Sequence, residues 1–281
     1  MSKIYIVTVA TEKKYYMQYL EDSIKKNNGE LIILGYGQKW EGFNWRNKLM
    51  IDFLEKTNLD DIVCFIDGYD VLCLRDLNLL KDKFIEIYNR EKCKIIVGLE
   101  QHIAILDRYV ARYLFGTCKD NSINAGTYIG YSKDLIDILK IIISKNKDND
   151  ADDQLLLTKY CNFNINDVYL DIKNELFLTL VKTLKQIDVH NDVEIIGEEL
   201  IFKNEKPFFI HGPSTFLDDI IINLNYNYDY NNKPSENFIK NYKNKNFDQI
   251  MTFIKIKRDD IFLILLIIIF IIVIFIVIRR N

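Results

Sequence analysis

Two carboxylates separated by two residues directly follow an apolar run, and they are the clearest chemical signal in the sequence. The motif reads Phe65-Ile66-Asp67-Gly68-Tyr69-Asp70-Val71. Asp67 and Asp70 can converge on one hard cation, Mn²⁺ or Mg²⁺, because Gly68 permits a tight turn after a buried strand. Such an ion keeps coordination positions open for a diphosphate. For this motif alone, the alternative is a turn whose aspartates cap a following helix.

A histidine and a run of small residues lie at two other predicted strand ends. His211 and Gly212 follow an apolar run, and His211 is the only one of three histidines in such a glycine turn. The position suits a metal ligand, with a structural histidine as the alternative. Asn124, Ala125 and Gly126 precede a predicted strand, where the backbone can approach a ligand closely. A plain entry into the strand is the alternative there.

Acidic residues crowd a predicted helix start between positions 148 and 153. They are Asp148, Asp150, Asp152 and Asp153. The helix macrodipole alone favours carboxylates at this place. The functional alternative is that they bind sugar hydroxyls or orient an acceptor.

The elements that must position these residues alternate between strand and helix. Strands are predicted at residues 3–9, 30–34, 61–66, 94–97, 127–131, 168–170, 194–201 and 207–210, and helices at 15–26, 44–56, 79–88, 135–144 and 153–159. Repeated strand–helix units with short connections predict an α/β fold with a mainly parallel sheet. Ligands of such sheets bind at the carboxyl ends of strands, so the polar clusters are expected to meet at one edge.

The end of the chain predicts a membrane anchor. Residues 261–278 are apolar throughout and are flanked by basic residues. As a helix they would span roughly 27 Å, close to the ~30 Å hydrocarbon core of a bilayer. A buried core element is the alternative. Residues 223–260, rich in Asn, Tyr and Lys, are interpreted as a polar linker, and residues 1–222 as the catalytic domain.

The net charge and the cysteine content indicate which partners the protein binds and in which compartment it resides. The net charge of -3 argues against nucleic-acid binding. Five cysteines without a CxxC pair make a disulfide framework unexpected and favour a reducing compartment. The apolar run at residues 4–10 is too short for a signal peptide, so we expect a tail-anchored protein with a cytosolic domain, a lumenal domain being the alternative. The richness in Ile, Asn and Lys suggests an A+T-rich genome, and a viral origin is a hypothesis.

Taken in order, these segments resemble the glycosyltransferase domain of procollagen lysyl hydroxylases and related collagen glycosyltransferases. The matching pieces cover about residues 4–214: Val7-Thr8-Val9-Ala10-Thr11, Leu34-Gly35-Tyr36-Gly37 with Trp40, the Asp67–Asp70 motif, Asn124-Ala125-Gly126-Thr127-Tyr128-Ile129-Gly130-Tyr131, Asp152-Asp153-Gln154 and His211-Gly212. The resemblance implies a GT-A fold and a UDP-sugar donor bound with Mn²⁺. By position, the implied metal ligands are Asp67, Asp70 and His211.

The resemblance also implies roles for the remaining candidates. Tyr69 would stack on the uracil, and Thr8 would line the uridine pocket. Asn124, Asp152 and Asp153 would face the donor sugar and the acceptor, with Asp152 or Asp153 orienting or deprotonating the acceptor hydroxyl. Lys48 lies near a lysine of the family, and Gly212 belongs to a turn that lies beside the phosphates in the family.

Two departures from the family concern phosphate and acceptor binding. The turn after His211 is shorter than in the family and lacks its lysine, and residues 98–102 lack a tryptophan that the family carries. The resulting hypothesis is a membrane-anchored, retaining hexosyltransferase that moves glucose or galactose from a UDP-sugar to a hydroxyl group. The acceptor would be a protein or glycan, such as hydroxylysine or galactosyl-hydroxylysine of a collagen-like protein. Alternatives are a metal-dependent nucleotidyltransferase or phosphatase, and an inactive nucleotide-binding or structural membrane protein of the same fold.

Overall fold

Strands that are apolar on both faces form the centre of the domain. The computed structural model describes residues 2–102, 105–145, 152–181, 193–212, 214–231 and 233–235. The strands are β1 Ile4–Val9, β2 Leu31–Leu34, β3 Ile62–Ile66, β4 Val71–Cys73, β5 Ile95–His102, β6 Ile123–Tyr131, β7 Val168–Leu170, β8 Phe177–Val181, β9 Val193–Ile196, β10 Glu199–Phe202 and β11 Phe209–His211. The helices are α1 Met17–Lys26, α2 Phe43–Leu54, α3 Leu80–Glu91, α4 Ile105–Phe115, α5 Ser132–Lys145, α6 Asp153–Phe163 and α7 Ser214–Asn223.

Within these residues, one sheet holds nine strands. Its order is β2-β1-β3-β6-β5-β8-β11-β4, and β7 pairs with β5. All pairings are parallel except those of β6 with its two neighbours and of β4 with β11. The expected mixed, mainly parallel sheet is therefore confirmed. The carboxyl ends of β1, β3, β5, β8 and β11 consequently point to one edge, together with the amino ends of β6 and β4.

Helices cover both faces of this sheet, as the alternation along β3 shows. Val63 and Phe65 pack into an apolar cluster with residues of α2, α5 and α6, whereas Ile62, Cys64 and Ile66 pack into a second cluster with α1 and α3. All five side chains of β3 are buried. A third cluster joins α7 and the β9–β10 hairpin to β8 and β11. Burial on both faces is what makes β3 read as a continuous apolar run.

Several elements differ from the sequence-based expectation. Strand β6 begins at Ile123, so Asn124 to Gly126 lie inside a strand and not in a loop before it. The expected single strand at 194–201 is a hairpin, turned at Gly197 with φ 64°. Strand β4 directly follows the Asp67–Asp70 turn. The alternative interpretation, in which these aspartates cap a following helix, is therefore wrong. Strand β8 and helices α4 and α7 were not predicted.

The first part of the predicted linker packs against the domain. Leu224 and Tyr228 are buried in the third cluster, and the Asp229 N–H donates to the Tyr19 hydroxyl at 3.0 Å. Among the described residues, no helix combines the length and the apolarity that a membrane crossing requires. The predicted membrane helix at 261–278 lies outside the described residues, as do Asp148 and Asp150.

A disulfide joins Cys118, in the turn before β6, to Cys161 on α6, with Cα atoms 6.0 Å apart. The sequence made a disulfide framework unexpected, and this expectation missed the one bridge that the described residues contain. The spacing of 43 residues contains no CxxC-like signal, and only the packing of α6 against β6 brings the two thiols together. Cys64, Cys73 and Cys93 are free and buried. Burial raises the pKa of Cys73 to about 12 and that of Cys93 to about 11, so these thiols are poor nucleophiles.

Replacing both bridged cysteines, as Cys118→Ala/Cys161→Ala, should lower the free energy of unfolding by about 2–4 kcal/mol, because the bridge restricts the unfolded chain. Urea unfolding of the full chain in non-reducing buffer measures this change. Dithiothreitol should shift the wild-type transition toward that of the variant and leave the variant unchanged. A wild-type transition that ignores the reductant would contradict the bridge.

Candidate metal centre

Three ligand-type side chains meet at the carboxyl-terminal edge of the sheet. Asp67 follows β3, Asp70 precedes β4 and His211 ends β11. Because β4 runs antiparallel to β11 with Val71 opposite His211, Asp70 comes to lie beside the imidazole. The His211 Nε2 lies 3.2 Å from Asp70 Oδ1 and 3.9 Å from Asp67 Oδ2. One ligand atom from each residue lies within 4.8 Å of the other two.

Backbone hydrogen bonds hold the segments that carry these ligands. The Asp67 N–H donates to the Gly126 carbonyl at 2.8 Å, and the Gly212 N–H donates to the Asp70 carbonyl at 3.1 Å. Gly126 also has to lack a side chain, since a Cβ there would collide with Asp67 Oδ2 and lie 2.8 Å from His211 Cε1. The small residues at this point of β6 therefore let the side chains of Asp67 and His211 approach the strand. The sequence had predicted a close approach here, but by a bound molecule.

The electrostatics of the cluster favour positive charge between the three side chains. Burial disfavours a charged imidazole, but the Asp70 and Asp67 carboxylates outweigh it and raise the pKa of His211 to about 9. Burial also raises the pKa of Asp67, against the opposing effects of Arg46 and His211. Two carboxylates and one imidazole suit an ion such as Mn²⁺, whereas Mg²⁺ favours sets of oxygen ligands. The residues present therefore fit a divalent ion.

A buried arginine that sequence analysis missed connects this cluster to α6. Arg46 on α2 is 5% exposed, and its Nη1 lies 3.2 Å from Asp67 Oδ1. The Arg46 Nη2 forms an ion pair with the carboxylate of Asp153 at the start of α6. The guanidinium also lies 4.8 Å from the centre of the Phe65 ring. Burial opposes the charge of Arg46, but Asp153 and Asp67 outweigh it and raise its pKa.

The helical spacing contained a signal for Arg46. Arg46, Met50 and Leu54 are four residues apart and share one face of α2, and both Met50 and Leu54 are fully buried. An arginine on the apolar stripe of a helix needs a buried acidic partner. Lys48, the predicted basic residue, is exposed two positions further along α2, and the structure does not bring it to the cluster.

The two acids at the start of α6 differ in their surroundings. Asp152 caps the helix, because its carboxylate accepts a hydrogen bond from the Leu155 N–H at 2.8 Å. Burial, followed by repulsion from Asp153, raises the pKa of Asp152 to about 6. Asp153 instead pairs with Arg46, and Arg46 in turn pairs with Asp67 of the metal cluster. Asp152 therefore lies where the helix macrodipole favours a carboxylate, as the sequence indicated.

A row of polar side chains extends from the cluster across three adjacent strands. In register, Glu100 on β5 lies opposite Thr179 on β8, and Thr179 lies opposite His211 on β11. Paired residues point to the same face of a sheet. The Gln154 side-chain amide donates to Glu100 Oε1 at 3.0 Å, and the buried Thr179 hydroxyl has no hydrogen-bond partner among the described residues. Thr179 was missed because β8 was not predicted, and Glu100 because β5 was predicted to end at residue 97.

The remaining predicted residues surround the Asp67–Asp70 turn. Thr8 is fully buried at the end of β1, where a Cβ on Gly68 would lie 2.9 Å from its hydroxyl oxygen. The Tyr69 hydroxyl donates to the Glu12 carbonyl at 3.1 Å and accepts from the Thr11 N–H at 3.2 Å. This fixes the Tyr69 ring between the turn and the loop after β1. Asn124 lies 3.1 Å from the His211 Nδ1.

Comparison with known proteins shows to which family the chain belongs. The family model described as "PLOD GT domain", where GT denotes glycosyltransferase, matches residues 1–238. The chain belongs to this family. As a PLOD GT domain it is 28% identical over 236 residues to the multifunctional procollagen lysine hydroxylase and glycosyltransferase of Caenorhabditis elegans, covering 75% of this chain and 30% of that protein. The human protein of the same description is 25% identical over 75% of this chain and 29% of its own length.

A viral relative is also similar to this PLOD GT domain. An uncharacterised protein of Acanthamoeba polyphaga mimivirus is 26% identical over 68% of this chain and 42% of its own length. The chain thus spans about a third of the length of the curated relatives that it matches. Among solved structures, a glycosyltransferase for the major capsid of PBCV-1 is 12% identical with a TM-score of 0.46, over 74% of this chain and 92% of that one. The galactosyltransferase LgtC with donor and acceptor sugar analogues has a TM-score of 0.38 at 13% identity, over 62% and 75% of the two chains.

Removing the Arg46 charge should destabilise the domain, because Asp67 and Asp153 then lose a buried partner. Arg46→Met is expected to cost roughly 3 kcal/mol of unfolding free energy. Combined with Asp153→Asn, the loss should be smaller than the sum of the two single losses. Urea unfolding of the four proteins measures this coupling. Lys48→Met on the same helix is the control, with a change within about 0.5 kcal/mol; additive losses would contradict the coupling.

Adding a methyl group at Gly126 should weaken metal binding, because it occupies the space into which Asp67 and His211 reach. Gly126→Ala is expected to lower Mn²⁺ affinity by about 10-fold or more, as ligand displacement does at other metal sites. Titration followed by the electron paramagnetic resonance of free Mn²⁺ measures the affinity, and thermal melting checks the fold. Unchanged affinity in a folded variant would show that the ligands do not need this space.

Proposed function

We propose that this PLOD GT domain transfers a hexose from UDP-glucose or UDP-galactose to a hydroxyl acceptor, with retention at the anomeric carbon. The observation that carries the proposal is the convergence of Asp67, Asp70 and His211 at the sheet edge of a chain in this family. These residues would hold a divalent ion, Mn²⁺ before Mg²⁺. When bound, such an ion offsets the negative charge that develops on the departing UDP. A site at the carboxyl-terminal edge of a mixed sheet also supports a GT-A architecture.

The donor nucleotide would lie over the Asp67–Asp70 turn. Tyr69 is held there by hydrogen bonds to Thr11 and Glu12, which suits a ring that stacks on uracil. Thr8 lies beneath the same turn, where its buried hydroxyl has no hydrogen-bond partner among the described residues, and it would line the uridine pocket. Gly212, whose N–H donates to the Asp70 carbonyl, puts a backbone without a side chain next to the ligands, where the diphosphate would bind.

The acceptor would approach along the row of Glu100, Thr179 and His211. The unpartnered Thr179 hydroxyl is buried, and such a group is more stable when a ligand or water supplies a hydrogen bond. Glu100 and the acids of α6, Asp152 and Asp153, supply the carboxylates that would orient the attacking hydroxyl. Relatives named as procollagen lysine hydroxylases and glycosyltransferases support hydroxylysine or galactosyl-hydroxylysine of a collagen-like protein as the acceptor.

The membrane and the compartment form a second part of the proposal. Residues 261–278 would anchor the domain as a single transmembrane helix, because they are apolar throughout and long enough. The disulfide between Cys118 and Cys161 supports a lumenal domain over a cytosolic one, since disulfides persist in oxidising compartments.

Loss of one ligand charge should remove sugar transfer without unfolding the protein. Asp67→Asn and Asp70→Asn keep the side-chain volume, and each should lower metal-dependent UDP release by about 100-fold or more. The measurement is UDP release from a panel of UDP-sugars by the purified full chain in detergent, with Mn²⁺ and with chelator. Asp60→Asn is the matched control, because Asp60 is 82% exposed before the start of β3.

The outcomes separate an enzyme from an inactive relative. Selective, Mn²⁺-dependent UDP release by the wild type that both variants lose supports the transferase and identifies the sugar. Normal release by the two variants would exclude the metal site. A UDP-dependent rise in melting temperature without release from any donor would instead indicate a nucleotide-binding protein that has lost catalysis.

A further inference from the structure

We propose that Asn124 is a positioning residue, which fixes the tautomer and the ring orientation of His211 so that Nε2 faces the divalent ion. This assigns Asn124 to the support of the metal ligand and not to contact with the donor sugar or acceptor. The inference rests on the proposed function, because the ion is the one that would bind the donor diphosphate.

The orientation of the Asn124 amide follows from its backbone neighbour. The Gly126 N–H donates to Asn124 Oδ1 at 3.1 Å. A backbone N–H can only donate, so the atom that faces it has to be the amide oxygen and not the amide nitrogen. The usual ambiguity of an asparagine side chain is thereby resolved by the strand to which it belongs.

The same oxygen then determines the imidazole. The His211 Nδ1 lies 3.1 Å from Asn124 Oδ1. Because an amide oxygen only accepts, Nδ1 has to carry the proton of this hydrogen bond. In a neutral imidazole the other nitrogen then holds the lone pair. That nitrogen is Nε2, the atom that lies near both Asp70 and Asp67.

Burial makes this hydrogen bond difficult to replace. Asn124 is 7% exposed and His211 is 9% exposed, so bulk water has little access to either side chain. Without the Asn124 oxygen, the Gly126 N–H and the His211 Nδ1–H would both lose their acceptor. The ring could then gain a partner only by rotating or by moving its proton to Nε2, and both changes remove the lone pair from the metal site.

Strand β6 thus supports the site through two of its residues. Gly126 provides the space for Asp67 and His211, and Asn124, two residues earlier on β6, holds the ring that fills that space. Residues two apart on a strand point to the same face, so both features lie on the side of the sheet that carries the ligands.

The direct test reads the tautomer and requires no substitution. The full chain has three histidines, and labelling them with ¹⁵N allows long-range ¹H–¹⁵N spectra with diamagnetic Zn²⁺, which accepts histidine and carboxylate ligands, as the bound ion. A His211→Ala sample identifies the signal. We expect a proton on Nδ1 and none on Nε2. A metal-loaded protein in which Nε2 of His211 carries the proton would overturn the proposal.

Two substitutions then separate positioning from packing. Asn124→Leu keeps the branched shape of the side chain and removes the acceptor, and Mn²⁺ affinity should fall about 10–100-fold, as it does when partners of other ligating histidines are lost. Asn124→Asp keeps an oxygen for both donors and should bind Mn²⁺ at least as tightly as the wild type, with the same His211 tautomer. If Asn124 acted only through packing, Asn124→Leu would leave the His211 tautomer and the Mn²⁺ affinity unchanged. The probe is Mn²⁺ alone, measured by electron paramagnetic resonance.

The controls separate this inference from the proposed function. A wild type that binds no Mn²⁺, or an Asp70→Asn variant that binds as well as the wild type, would overturn the metal site and the inference together. If Asp70→Asn loses affinity while Asn124→Leu binds as tightly as the wild type, only the role of Asn124 is overturned.

Discussion

Mutual repulsion between carboxylates at one end of the sheet is the constraint that the surrounding structure has to satisfy. Asp67, Asp70 and Asp153 lie close together in a partly buried place, where water screens their charges poorly. Arg46 offsets part of this charge from beneath, and His211 offsets part of it from β11. What remains is a place that favours one more cation. The arrangement of this edge, including the lack of a side chain at Gly126, lets the carboxylates and their cationic partners stay close together.

Sequence reasoning recovered the elements whose apolar pattern is local. Strand β3 and the Asp67–Asp70 turn were found because a buried strand reads as an apolar run and the carboxylates follow it directly. Strand β7 was predicted with the bounds that it has, residues 168–170. The expectation that polar strand ends share one edge was also correct for Asp67 and His211, which follow or end strands that run in the same direction.

The parts that sequence reasoning missed depend on long-range pairing. Asn124 and Gly126 have little preference for strands, yet they lie in β6 because the residues that flank them are paired, Thr127 with Ile66 of β3 and Ile123 with Leu99 of β5. The bond between Cys118 and Cys161 and the pairing of Arg46 with Asp153 join positions that no local spacing connects. In each case the partner is supplied by tertiary packing, which a single sequence does not display.

The pairing of β4 with β11 has a consequence for how the domain reaches its active form. Asp70 and His211 are separated by about 140 residues, so the contact between them closes a loop that includes most of the fold, and this closure costs conformational entropy. A cation that binds only where these residues meet would offset part of that cost. Metal binding would then stabilise the pairing of β11 with β4, next to which two of the three ligands lie, more directly than the β1–β2–β3 part of the sheet, which contributes only Asp67.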